Sequence, residues 1–382
     1  MVRRPVHVKA WLATAMMLAA GFGLGLAPAV ARAAAPTFKI GIVASLTGPF
    51  AAPSKDTLDG LHAWMKVHGL PGKKIVLEVL DDETNPVDAE NVFRRLASDP
   101  AVKLIYMFGN SNSGLAIKSF ASEYKIPIIT GGGADTLGYP ANPWDFKVAP
   151  SNKNAMKAVV LYAKRKGYKT IAHIYGTDAY GQLDHKNLVI ECQKLGVKLV
   201  ASESFAISDT NFNAQLADIK AAHPDMVYSS AAGRAAILVF KTFKLLQLKM
   251  PLMVTQAAIT QAFYNAIGGK AKANGVLAPF QRSAFGTALG GATAKYYTEL
   301  KNALGHSPPY FATFGFDVGL ITAAAVKPGP DTRKEIRANL EAIKDLPTMN
   351  GPVTYTAQNH TGQNFRSITV GRLENGVAVV AK

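Results

Sequence analysis

Residues 103–135 read KLIYMFGNSNSGLAIKSFASEYKIPIITGGGAD, and their pattern decides the fold. Residues 104–108 form a short apolar run with the β-branched and aromatic content of a strand buried on both faces, and residues 126–129 repeat it. Each run stops at small polar residues, Gly-Asn-Ser-Asn-Ser-Gly at 109–114 and Thr-Gly-Gly-Gly at 130–133, with a helix between the two runs. In a parallel sheet the crevice beyond the carboxyl ends of the strands takes the ligand. Loops of this composition line it with free N–H groups, hydroxyls and a helix N-terminus, a donor set suited to a carboxylate or other small anion. One such loop alone reads as a tight turn; two in succession favour the site.

The chain has 382 residues, of which 48% are hydrophobic and 18% charged, enough for two or three packed cores. Residues 1–33 read apart from the rest. Arg3, Arg4 and Lys9 precede an apolar run over 10–26, and Ala31-Arg32-Ala33 supplies small residues at cleavage spacing, so an export signal cut after Ala33 is expected rather than a retained anchor. The Arg-Arg pair fits the twin-arginine pattern poorly, which leaves the general export route and a periplasmic protein. No later run is long enough to span a bilayer. The whole chain carries +16; without residues 1–33 there remain 38 Lys and Arg against 26 Asp and Glu, a net +12. The cations are scattered, as at Lys153, Lys157, Lys164 and Lys169, which reads as solvated surface and not as a nucleic-acid face. The single Cys192 can form no disulfide within the chain, and no Cys follows the signal to take a lipid.

In chain order, strand and helix patterns alternate from residue 38 to 129. They restart after 144–150 with helix 152–166, strand 170–175 and helix 182–195, and run on to strand 252–255. Helices follow near 292–304, 310–326 and 331–345, then a strand pair across Glu374-Asn375-Gly376. Alternation of this kind gives an α/β fold with parallel sheets in two lobes.

Several short motifs along the chain carry a resemblance: Ser45-Leu46-Thr47-Gly48-Pro49, Asp81-Asp82 with Asn85-Pro86, Gly109 with Ser111 and Ser113, Ile126-Pro127-Ile128-Ile129-Thr130, Tyr180-Gly181, and His223-Pro224-Asp225. In this order and spacing the chain resembles the type I periplasmic solute-binding proteins of ABC importers, in their leucine/isoleucine/valine-binding branch. The resemblance implies two doubly wound parallel-sheet lobes joined by three hinge crossings, placed near 148–150, 279–281 and 351–353. Lobe 1 then takes residues 34–149 and 281–352, and lobe 2 residues 150–280 and 353–382. It also implies a small-molecule ligand between the lobes, delivery to the membrane subunits of an ABC permease, no cofactor, and a monomer.

Carried over residue by residue, the resemblance places the ligand carboxylate at Ser111 and Ser113 and at the backbone of Gly132, Gly133 and Ala134. Ala134 stands where relatives carry a Thr hydroxyl. Tyr180 is expected to close over the ligand from the second lobe. Aromatic pocket positions of the leucine binder become Pro53, Ala232 and Phe316. The acidic partner of a substrate ammonium aligns with Gln256, and a neutral amide cannot offset a buried positive charge. Asp317 either takes over that role or is a structural carboxylate, and Arg234 is a second candidate for an anion.

No catalytic residue is expected. Asp81 and Asp82 are adjacent on a strand and point apart, His62 and His68 are poorly spaced for two ligands on one helical face, and neither Gly-x-Ser-x-Gly nor a P-loop is present. An α/β enzyme on the same architecture is the alternative from a different class. Within the binding class the resemblance implies an amino acid, by the family's commonest use, and an amine-free aromatic or aliphatic carboxylate is the alternative.

Overall fold

A computed structural model describes residues 35–329 and 331–381; the export signal read at residues 1–33 lies outside the described residues. The first sheet is built from β1 (Thr37–Ala44), β2 (Lys74–Asp81), β3 (Val102–Phe108), β4 (Ile128–Thr130) and β5 (Asp145–Lys147), with α1 (Ala51–Val67), α2 (Pro86–Ser98) and α3 (Ser111–Glu123) as crossovers. All its strands are parallel, in the order β2-β1-β3-β4-β5.

β3 shows why this sheet reads as unbroken apolar runs. Leu104, Tyr106 and Phe108 pack into one core with α1, while Ile105 and Met107 pack into a second core with α2 and α3. Successive side chains leave a strand on opposite faces, and here both faces are covered.

The second lobe begins with α4 (Asn152–Arg165) and continues as β6 (Thr170–Gly176), α5 (Ala179–Leu195), β7 (Lys198–Phe205), α6 (Asn213–Ala221), β8 (Met226–Ser229), α7 (Gly233–Leu245), β9 (Leu252–Val254), α8 (Gln261–Ile267) and β10 (Leu277–Gln281). The chain then adds α9 (Gly291–Leu304), α10 (Tyr310–Ala325) and α11 (Arg333–Glu341), which belong with the core of the first sheet. It returns as β11 (Ile368–Glu374) and β12 (Val377–Val380), which complete a sheet ordered β12-β11-β10-β9-β8-β6-β7. Only β11 and β12 run antiparallel to their neighbours. The two lobes of the α/β fold are these two sheets with their helices.

Val353 exchanges backbone hydrogen bonds with Leu346, the Tyr355 hydroxyl donates to Lys147 O at 3.0 Å, and the N–H of Lys147 donates to His360 O at 2.9 Å. Residues 353–362 therefore sit on the edge of the first sheet. α1 starts at Ala51, directly after the turn at Gly48-Pro49, with Pro53 in its first turn where no intrahelical N–H is needed. β5 is a strand of three residues, Asp145-Phe146-Lys147, whose charged composition gives no strand signal.

α1 and α10 pack by backbone approach. A Cβ on Gly60 would lie 1.9 Å from Ala312 O, one on Gly315 1.9 Å from Thr57 O, and one on Gly319 2.1 Å from the Trp64 ring. Strand registers then decide where the loops go. Ala44 pairs with Asp81 and with Phe108, and Met107 with Thr130, so the loops after β1, β2, β3 and β4 share one edge. In the second sheet Gly176 pairs with Phe205 and Ser229 with both Ile174 and Val254, which does the same for residues 177–180, 205–207, 230–232 and 255–257.

Candidate functional site

The two loop edges face each other across a cleft that is partly open to solvent. From the first sheet come Asn110, Ser111 and the Gly131–Gly133 backbone; from the second come Tyr180, Ser230, Thr255 and Gln256. Phe50, Tyr310, Phe311 and Phe314 supply an aromatic wall in which the Phe50 and Phe311 rings meet edge to face at 5.7 Å and Tyr310 and Phe314 at 4.6 Å. Asp178 is the one ionisable carboxylate of the lining, and none of the lining residues is Lys or Arg.

The donor end is built by a helix cap. Asn110 takes the cap of α3, its Oδ1 accepting the Ser113 N–H at 2.9 Å, so Ser111 is the first helical residue at the cleft. Ser111 Oγ accepts the N–H of Ala134 at 3.0 Å, which leaves its own O–H to donate. Gly131 N–H goes to Met107 O at 2.9 Å; those of Gly132 and Gly133 have no protein acceptor among the described residues. Two backbone donors, one hydroxyl and the positive end of α3 converge there, which suits a carboxylate without any cation.

The structure divides the residues singled out by sequence. Ser111, Gly132, Gly133, Tyr180 and Gln256 line the cleft; Ser113, Ala134 and Asp317 do not. Ser113 is fully buried with an unpartnered hydroxyl, because residues two apart on a helix face opposite ways and Ser111 has taken the cleft side. Ala134 has already committed its N–H to Ser111. Asp317 accepts hydrogen bonds from the N–H of Met349 at 2.9 Å, the N–H of Asn350 at 3.1 Å and the Asn350 side-chain amide at 2.9 Å. It lies two turns along α10 from Tyr310, roughly 10 Å deeper. Burial pushes its carboxyl up to about 6 despite these bonds. Ala232 lines the cleft, whereas Pro53 and Phe316 do not, and the Arg234 side chain is exposed.

At the far end the groups are uncharged apart from the carboxyl of Asp178. The Tyr180 hydroxyl and Thr255 Oγ1 are 2.6 Å apart, and burial holds the phenol well above its ordinary value. Gln256 accepts the Gln281 N–H on Oε1 at 2.6 Å, which fixes the amide and leaves Nε2 as a buried donor with no partner. Asp178 caps α5 by accepting the Gly181 N–H at 3.3 Å, and burial raises its carboxyl pKa. Sequence reasoning missed the aromatic wall and Asp178. The Pro308-Pro309 pair before Tyr310 was the available signal for a helix start at the cleft.

The lobes touch across the cleft mouth on both sides. Ala179 N–H donates to Asn112 Oδ1 at 2.9 Å, and Arg234 N–H to Pro49 O at 3.4 Å. A Cβ on Gly133 would lie 2.6 Å from the Tyr180 ring, and one on Gly233, whose φ is +56°, 2.6 Å from Pro49 O. Among the described residues no helix is long and apolar enough to cross a membrane, and no group of three or more His, Cys, Asp and Glu could hold a metal.

Comparison with known proteins agrees with this geometry. A family model described as periplasmic binding protein matches residues 37–377. A Leu/Ile/Val-binding protein homolog 3 from Brucella melitensis is 24% identical over 207 residues, so that the match spans 52% of this chain and about half, 55%, of that relative. An extracellular ligand-binding receptor from Rhodopseudomonas palustris superposes with a TM-score of 0.81 at 28% identity, over 90% of this chain and 99% of its own. A solute-binding protein of an ABC transporter from R. palustris, solved in complex with benzoate, shares the fold with a TM-score of 0.80 at 23% identity, over 90% of this chain and 95% of its own. With a two-sheet fold, a cleft between carboxyl-terminal loop edges and a family match over nearly its whole described length, this chain belongs to the periplasmic binding protein family, in the type I group that includes the leucine/isoleucine/valine-binding proteins.

Proposed function

We propose that the protein is the exported, periplasmic solute-binding component of an ABC importer, which captures a small carboxylate between its lobes and delivers it to the membrane permease. Lobe 1 takes residues 36–149 and 282–362, and lobe 2 residues 150–281 and 363–381. One observation carries the reading: uncommitted donors at Ser111, Gly132 and Gly133 face, across one cleft, a second lobe that supplies Tyr180, Thr255, the free Nε2 of Gln256 and a single carboxylate, Asp178. Ligand contacts to both lobes favour the arrangement in which the lobes meet, and only that difference in affinity shifts the population. Capture of this kind needs no chemical step.

Within this class the amide of Gln256 favours an amine-free carboxylate over an amino acid. Its oxygen is committed to Gln281, so the group it has left is a donor, which repels an ammonium and welcomes an acceptor. Asp178 is the feature that would hold an ammonium instead, and it lines the same cleft. A thermal-shift screen of residues 34–382 against amino acids, amides and aromatic and aliphatic acids decides, because a ligand bound only by the folded state raises Tm. Hits confined to amine-free acids are expected. Hits confined to amino acids would transfer the second role to Asp178, and no hit in any class would overturn the receptor reading.

A further inference from the structure

His173 and His185 stand directly behind the cleft wall and take no part in the binding chemistry described above. His173 on β6 is fully buried, with Nε2 2.7 Å from the Oγ of Ser230, a cleft residue that is 2% exposed. Its Nδ1 meets the Nδ1 of His185, on α5, at 3.3 Å. Stacking holds both rings: His185 lies on Tyr175 with centroids 4.2 Å apart, and His173 on Tyr228 at 5.1 Å.

Two nitrogens can share a hydrogen bond only if one carries the hydrogen and the other does not. Two neutral arrangements meet that condition. With the hydrogen on His185 Nδ1, His173 is the Nε2–H form and donates to Ser230, which is left to turn its O–H toward the cleft. With the hydrogen on His173 Nδ1, Nε2 is bare and accepts the Ser230 O–H, so the cleft sees only oxygen lone pairs. One added proton removes the choice. Whichever ring takes it, His173 carries Nε2–H and Ser230 presents a donor.

We infer that the His173–His185 pair sets whether Ser230 offers the ligand a donor or an acceptor, and that protonation of the pair tunes the cleft toward ligands that place an acceptor oxygen there. The inference rests on the solute-receptor reading and names a specificity device within that site, with both histidines as positioning residues.

The surroundings leave the pair to titrate largely on its own. On α5 the neighbouring Asp184 turns its carboxyl to Asn152 and to the Tyr228 hydroxyl, and it is pushed up to about 7 by burial, so it is largely neutral on the acid side. Lys186 is the next residue on α5. On β6 and β8 the rings meet Tyr175 and Tyr228, and on β7 the residue opposite His173 is Ser202, with Glu203 beside it opposite Ile174. Among the described residues no ion pair or carboxylate hydrogen bond reaches either ring from α4 or elsewhere, which also leaves Ser230 without the third member of a hydrolytic triad. Burial lowers both imidazoles below the ordinary 6.5, His173 furthest, so the proton enters on the acid side of pH 6.5.

The test begins without ligand, on the full chain labelled with 15N-histidine. Expected is one ring of the pair titrating below pH 6.5 while its partner stays neutral, with His173 carrying Nε2–H at the acid end. Two rings that become imidazolium independently, or a neutral His173 protonated on Nδ1 at the acid end, would overturn the inference while leaving the receptor reading intact. The ligand screen is then repeated at pH 5 and pH 8 on the wild type and on His173→Phe, which keeps the stacking surface and removes the ring that touches Ser230. Amine-free acids such as benzoate or 4-hydroxybenzoate that bind should do so at least threefold more tightly at pH 5 in the wild type and equally at both pH values in the variant. The same pH trend in both proteins would refute the device. If no acid binds, the receptor reading fails and the nitrogen spectra alone decide the histidine linkage.

Discussion

Asp145, the first residue of β5, keeps a carboxyl 1% exposed, with Oδ1 lacking any partner. Burial raises it to about 8, against a partial offset from Lys118. The native state therefore holds a proton that an ordinary carboxyl near 4 has released, and the stability this contributes is full below the unfolded value and lost as pH rises toward 8. Asp145→Asn removes that loss. In denaturant melts, the variant should gain on the wild type by on the order of 3 kcal/mol between pH 5 and pH 8.5. A gap that stays constant with pH would mean that the carboxyl finds a partner when ionised. On the proposed reading Ser111 donates to the ligand carboxylate: losing one hydroxyl donor to it costs about 1.5–3 kcal/mol, so Ser111→Ala should weaken the ligand by roughly ten- to a hundredfold in calorimetry. Sequence located Ser111 because Gly and Ser after an apolar run mark a strand end. It could not choose between Ser111 and Ser113, since that choice depends on whether the helix starts at 111 or 115. It left Asp317 open for a different reason: its partners at 349 and 350 are distant in the chain, and no local pattern announces them.

At the scale of elements, the pair α1 and α10 sets the strictest packing condition. Gly315 and Gly319 are one turn apart on α10 and admit the α1 backbone and the Trp64 ring at distances no Cβ allows. Gly315→Ala must separate the helices, at a cost of roughly 3 kcal/mol or more given the usual overpacking penalty and a backbone oxygen as the obstacle. The measurement is Tm of the unliganded protein, and a variant within a degree of the wild type would show that the two helices slide freely. The elements themselves were legible where burial on both faces writes an unbroken apolar run, as in β3, or where caps bracket a period, as in α4. β5 was not, because its buried Lys147 and Asp145 owe their places to the Ala149 carbonyl, Asp135 and the edge segment 353–362, all supplied by tertiary structure. The aromatic wall escaped for a related reason: Phe50 and Phe311 meet only after the first lobe has closed around α1 and α10.

For the whole molecule, the contacts across the cleft mouth make two glycines into conditions for lobe contact. Gly133→Ala places a methyl group against the Tyr180 ring and should hold the lobes apart there. Ligand affinity is expected to fall tenfold or more, with Tm of the free protein within about two degrees of the wild type, since the lobe cores are untouched. Calorimetry and a melt check this together; an equal loss in both would make Gly133 a packing residue of its own lobe.

A whole lobe of chain separates α1 from α10 in sequence, and β11 and β12 come after everything else. The order in which the residues are synthesised therefore differs from the order in which they can become stable. A nascent chain that has reached the end of β10 already contains all five strands of the first sheet, yet the apolar face of β1 and β3 still waits for α10. A chain stopped before α10 is thus expected to be an aggregation-prone fragment whose first sheet is covered on that face by α1 without its α10 partner, not a smaller working molecule.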